Sequence, residues 1–204
     1  MKRFMLTSVF IPCLLLLSGC TSSLMQKSAL NNLTIPTAKS ESAQIVFMRP
    51  SSFGGAIQSS VFDLKQNENK LADDIFIGIV SANTKVLYQA EPGFHLFMVI
   101  GENADFMQAH LQAGKTYYAL VTPRMGWWKA RFSLKPLHRS DLLSGDFKDW
   151  FESTDWYENT NASRQWSVDN WESVQDKKQE YLGKWGNKSE SEKDELTLKE
   201  SDGQ

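Results

Sequence analysis

Between residues 43 and 137 the chain is cut into eight short apolar or alternating runs, each too short for an ordinary helix. They cover 44–49, 56–64, 75–80, 86–90, 94–100, 106–111, 117–121 and 130–134. Turn-forming residues separate them: Pro50 with Gly54-Gly55, Asn67-Glu68-Asn69, Ala82-Asn83, Pro92-Gly93, Gly101-Glu102-Asn103, Ala113-Gly114, Pro123 and Pro136. Runs of this length bounded by such residues read as strands. Eight at this spacing predict a mainly β chain, an antiparallel β-sandwich. Gly93 and Gly114 fall at turn positions that favour a positive φ, which glycine adopts without a Cβ clash. Pro92 fixes the approach to the first of them. Tyr117 and Tyr118 are neighbours on one strand and point to opposite faces, so one is expected in the core and the other exposed or paired.

The character changes after Pro136. No proline follows, and five of the seven tryptophans lie beyond it, at Trp150, Trp156, Trp166, Trp171 and Trp185. Residues 138–186 read as a helical, Trp-rich extension. Trp171, Val174, Lys178, Tyr181 and Trp185 are spaced by three and four, the signature of one face of a helix over 163–185. That face is expected to fold back on its own domain. A shorter helix is predicted within 140–151. Residues 187–204 are charged and poor in apolar groups, and disorder is expected there.

At the front, Lys2 and Arg3 precede an apolar stretch that runs to Leu17 and contains Pro12. A basic start and a short apolar core form the layout of a secretory signal over residues 1–19. The apolar stretch falls short of the ~20 residues needed to cross a bilayer as a helix. Leu17-Ser18-Gly19-Cys20 resembles the lipobox of bacterial lipoproteins. The resemblance implies cleavage before Cys20, diacylglycerol on its thiol, and a further acyl chain such as palmitate on the new amino terminus. Two or more chains hold a protein durably, at about 0.8 kcal/mol per buried CH2. Thr21 replaces the aspartate that marks inner-membrane retention in Gram-negative relatives, which implies the periplasmic face of the outer membrane. Residues 20–42, rich in Ser, Thr, Asn and Gln, read as a lipidated tether with a reach of roughly 70 Å when extended; Leu24, Met25, Leu30, Leu33 and Ile35 argue against a pure linker and leave part of it able to pack on the domain.

Composition narrows the partners. Losing Lys2 and Arg3 with the signal leaves 20 Lys+Arg against 24 Asp+Glu, a net of −4 before histidines. A mildly acidic body argues against nucleic acid, whose binders carry a basic footprint. The two cysteines are Cys13, lost with the signal, and Cys20, consumed by lipid, so no disulfide or catalytic thiol is expected.

Candidate chemistry is sparse. Gly114-Lys115-Thr116 imitates the end of a phosphate-binding loop, but the pattern needs glycine where Ala109 stands, and a strand follows instead of a helix. His95, His110 and His138 lack metal-ligand spacing and read as isolated, surface or half-buried residues. Asp73-Asp74 reads as a loop-end charge pair, since adjacent strand residues face opposite ways. No cofactor or metal is implied. The most suggestive patch is Met125-Gly126-Trp127-Trp128-Lys129-Ala130-Arg131. Trp127, Trp128, Lys129 and Arg131 form a candidate binding surface, because tryptophan beside a cation suits a sugar ring or a protein partner. The same tryptophans also suit a lipid headgroup layer or a packed sandwich edge.

Met48-Arg49-Pro50, Pro92-Gly93-Phe94-His95 and Ala113-Gly114-Lys115-Thr116-Tyr117-Tyr118 resemble motifs of bacterial lipoproteins that carry the domain of unknown function numbered 2846. The likeness covers residues 43–137 and implies a β fold and an envelope location. That family has no established activity to carry over. The expectation is a lipid-anchored, non-enzymatic interaction or accessory module whose partner is an envelope protein. The alternative is a peptidoglycan or glycan binder that uses the exposed tryptophans.

Overall fold

A computed structural model describes residues 24–55, 57–64, 74–124 and 131–204. The chain opens with β1 (Met25–Lys27), β2 (Ala43–Arg49), β3 (Ser59–Leu64), β4 (Ile75–Val80), β5 (Thr84–Ala90) and β6 (Gly93–Ile100). It continues with β7 (Ala104–Leu111), β8 (Thr116–Arg124) and β9 (Arg131–Pro136), then α1 (Arg139–Leu142) and α2 (Gly145–Glu152). β10 (Asp155–Asn159), α3 (Asn161–Asp169), α4 (Trp171–Gly186), α5 (Glu190–Glu195) and β11 (Thr197–Leu198) complete it, followed by a 3-10 turn over Glu200–Asp202.

The strands form two sheets. One has six strands in the order β1-β10-β5-β2-β8-β9, the other five in the order β11-β7-β6-β3-β4. The fold is mostly β and two-sheeted, as the sequence predicts, but the sheets are mixed. β2 runs parallel to β8, β10 parallel to β5, and β11 parallel to β7. Parallel neighbours need long crossovers. The β2-to-β8 connection contains β3, β4, β6 and β7 of the other sheet, and β10 and β11 arrive from the helical region.

Residue character explains the layering. β2, β3 and most of β8 are buried along both faces; their centres are apolar, and their buried polar residues, such as Arg49, Ser59 and Asp63, are hydrogen-bonded. Inward residues such as Phe47, Val61, Phe97, Tyr117 and Phe132 fill the space between the sheets. Phe47 meets Phe97 edge-on at 5.3 Å. On the outer face of the six-stranded sheet, Val46, Met48, Tyr118 and Leu120 lie beneath Leu137, Phe151 and Trp156. On the outer face of the five-stranded sheet, Phe62, Met98 and Phe106 lie beneath Val174 and Trp185 of α4. Tyr117 and Tyr118 do face opposite ways, yet both are fully buried, because a helical layer covers the second face.

Several boundaries move. The single helix expected over 163–185 is two, broken at Asn170, whose side-chain amide donates to the Trp166 carbonyl and ends α3. The face of α4 carrying Val174, Lys178 and Trp185 packs on its own sheet as expected. β8 continues through Pro123 because there it pairs only with β9, so the missing N–H interrupts no inner ladder.

The terminal segments are both held to the body. Part of the tether packs on the domain, as its apolar residues allow: Met25 is buried, Ile35 packs against the cluster that includes Trp156, and the Pro36 carbonyl accepts from Gln44. The carboxyl-terminal segment differs from expectation. Residues 187–204 are ordered. Ser189 and Glu192 form a capping box, and Leu198 is fully buried. The Asp202 carboxylate accepts from the Lys199 and Arg139 amides and from His138. Gln204 exchanges two backbone bonds with Thr116, at 2.8 and 3.1 Å. Fixed backbone pairing, which hydropathy does not register, holds this charged segment in place.

Candidate functional site

β8 and β9 form a hairpin whose register places Arg124 opposite Arg131. Like charges facing each other across a ladder are unfavourable. Asp105 relieves one of them, 3.2 Å from Arg124. Arg131 is exposed and has no side-chain partner among the described residues. The last turns of α4 bring Tyr181, Lys184 and Trp185 to the same place. Trp185 lies 5.9 Å from Phe106, and the Lys184 ammonium sits 3.9 Å over the Tyr181 ring.

Together these elements enclose an open groove of about 480 Å3. Phe106, Tyr181 and Trp185 supply its aromatic lining. Arg124, Arg131, Lys184 and Lys188 supply four cations against the two acids Asp105 and Glu192. A local positive excess within a net-acidic chain favours an anionic occupant; Tyr181 is the half-buried ring of the lining, while Phe106 and Trp185, 2 % and 6 % exposed, form its floor.

Of the residues singled out from sequence, Arg131 lines this groove. Trp127, Trp128, Lys129 and Cys20 lie outside the described residues. Arg124, Lys184 and Lys188 escaped the sequence reading because they come from separate elements. A signal was present, since Tyr181, Lys184, Trp185 and Lys188 recur at helical spacing, with cations and rings sharing one stripe.

Comparison with protein-family models, curated proteins and solved structures gave no match.

The motif residues behind the family resemblance are structural in this chain. Arg49 is fully buried, donates to the carbonyls of Ile57 and Gly54 at 2.7 and 2.8 Å, and lies 4.6 Å over the Phe132 ring. Gly93 and Gly114 have φ of 127° and 76°, the conformations expected at their turns. Gly114-Lys115-Thr116 links β7 to β8 as a plain connection between strands.

The histidines are less isolated than expected. His95 is 6 % exposed and bonds Asp63, itself 1 % exposed, at 2.9 Å, while its other nitrogen donates to the Glu91 carbonyl at 2.7 Å. Tyr88 donates to the same Asp63 oxygen at 2.9 Å. This sealed network joins β5 of one sheet to β3 and β6 of the other. Burial and the adjacent Asp63 charge push the Tyr88 phenol upward. His138 pairs with Asp202, and His110 lies edge-on to Phe94. Asp73 is outside the described residues. Asp74 is no loose loop-end charge: it is buried and paired with Lys178 at 2.7 Å. Among the described residues, no group of three or more His, Cys, Asp or Glu is placed to hold a metal ion.

Proposed function

We propose that this chain is a lipid-anchored cell-envelope protein, at the periplasmic face of the outer membrane, that acts as a non-enzymatic accessory module by holding an acidic segment of another envelope protein. The observation that carries this reading is the groove with Arg124 and Arg131 set opposite each other above Phe106, Tyr181 and Trp185. Four cations converge there with two acids, and charge complementarity of that kind selects partners and speeds encounter. The anchor rests on Leu17-Ser18-Gly19-Cys20 and on the resemblance to lipoproteins of the 2846 family.

The decisive experiment is crosslinking in intact cells that express a tagged, lipidated protein. The expected result is one envelope protein enriched over a control lipoprotein and contacting the groove through an acidic segment. That enrichment should disappear in an Arg131→Glu variant that unfolds at or above the wild-type temperature. Enrichment that survives charge reversal would overturn the groove as the binding site. Recovery of muropeptides, with saturable binding to purified sacculi lost in Trp127→Ala/Trp128→Ala, would establish the second reading, peptidoglycan binding. The adjacent Trp127 and Trp128 beside Lys129 in the sequence are what favour that reading. Replacement of Cys20 by Ala should release the exported protein from membranes, read by fractionation.

A further inference from the structure

We infer that the folded body sits directly on the lipid surface by the edge formed by β1 and α3, and presents the basic groove at the opposite edge, away from the bilayer. The inference rests on the lipid-anchored reading above and adds an orientation to it.

Chain length is the first observation. Four residue steps separate Cys20 from Leu24, at most about 14 Å of extended chain. No slack follows, because the body begins at that point. Thr160 donates to the Leu24 carbonyl at 2.6 Å, Met25 is buried in the core, and β1 pairs with β10 from Met25 onward. A lipid on Cys20 is therefore held beside the first strand, and the ~70 Å reach of a free tether is lost.

Topology is the second. β1 is the outermost strand of its sheet, and α3 starts beside it at Thr160. Ala162, Arg164 and Gln165 of α3 are exposed. Val168 on the same helix is 66 % exposed, and Leu30 and Leu33, just after β1, are 42 % and 67 % exposed. These apolar groups suit a headgroup boundary. The cations nearby do not make a polybasic patch, since Lys27 is tied to Asp155 at 2.9 Å. Proximity is imposed by the lipid, and charge contributes little. β9 is the far strand of the same sheet, five strand spacings or about 24 Å away. Arg131 of the groove stands at its start. α4 crosses the other sheet in the same sense, about 10 Å along its axis, from the Asp74–Lys178 pair beside β4 to Trp185 at Phe106 on β7.

The test uses full-length lipidated protein in phosphatidylcholine vesicles containing a headgroup spin-labelled lipid. With Cys20 modified and Cys13 removed, an introduced cysteine is the single free thiol. A fluorophore on Gln165→Cys should be quenched severalfold more than one on Lys135→Cys, and added salt should not change the ratio. An insertion of about 20 Gly and Ser residues between Ser23 and Leu24, ~25 Å of flexible chain, should abolish the difference while the protein stays bound. Equal quenching at the two positions, or stronger quenching at Lys135→Cys, in Cys20-dependent anchored protein overturns the orientation and leaves the anchor standing. Wild-type protein that does not associate with vesicles, or that associates equally as Cys20→Ala, overturns the anchor and the orientation together.

Discussion

Lys85 shows how much one side chain carries. It is fully buried on the outward side of β5, and its ammonium donates to the carbonyls of Asn32, Phe151 and Thr154 at 2.9, 2.6 and 2.7 Å. The ring of Phe151 lies 3.9 Å away. The N-terminal segment, the end of α2 and the start of β10 thus converge on one nitrogen. Burial pushes its pKa down to about 8, against a smaller opposing effect of Asp155. An unfolded lysine titrates near 10.4. Between these values the unfolded chain binds more protons, so this group makes stability rise with pH. Thermal unfolding is expected to move upward from about pH 7.5 to 9.5, below the range where Tyr118, pushed up to about 12, deprotonates. Lys85→Met should abolish that rise and cost about 3 kcal/mol, because three buried carbonyls lose their donor. Arg131 behaves in the opposite sense. Arg131→Glu replaces a like-charge pair across the hairpin with an attractive one. It should gain about 0.2–1 kcal/mol in thermal unfolding while weakening capture of the anionic partner. A stabilised variant that binds as tightly as wild type would remove Arg131 from the site.

At the scale of elements, α4 and the C-terminal segment act as clasps. Lys178→Met leaves the Asp74 carboxylate buried without its cation, a loss of about 3–5 kcal/mol measurable by denaturant unfolding. Gly203 touches Tyr117 so closely that a Cβ would come within 2.6 Å of the ring. Gly203→Ala should therefore loosen residues 196–204, at about 1–3 kcal/mol, seen as faster amide exchange there. The eight strands of 43–137 were legible because burial leaves either an apolar run, as in β6, or an alternation, as in β9, between turn residues. β10, with the sequence Asp155-Trp156-Tyr157-Glu158-Asn159, and the two-residue β11 were not, because backbone pairing holds them and leaves no alternation to read. Strand direction was equally hidden: β2 looks the same whether β8 lies parallel or antiparallel to it. The groove was half legible. Arg131 stood in an aromatic, basic run, while Arg124 and Lys184 meet it only through the register of β8 and the length of α4.

Across the whole molecule, segments distant in sequence close the same structure. β1 pairs with β10, β11 with β7, and Gln204 with Thr116. The two sheets and their helical covers should therefore unfold in one cooperative transition, with tryptophan fluorescence and far-ultraviolet circular dichroism changing together. Separate midpoints for the two signals would show independent layers. The position of β10 between β1 and β5 also sets an order in time. If the chain is exported amino end first, as the proposed anchor requires, β1 crosses before the strand it joins and has no neighbour until residues 155–159 have followed. Acylation of Cys20 would not need those residues, so a lipid would be in place while the first strand still waits. On that proposal folding would finish at the membrane, when the last quarter of the chain slots in beside the first strand.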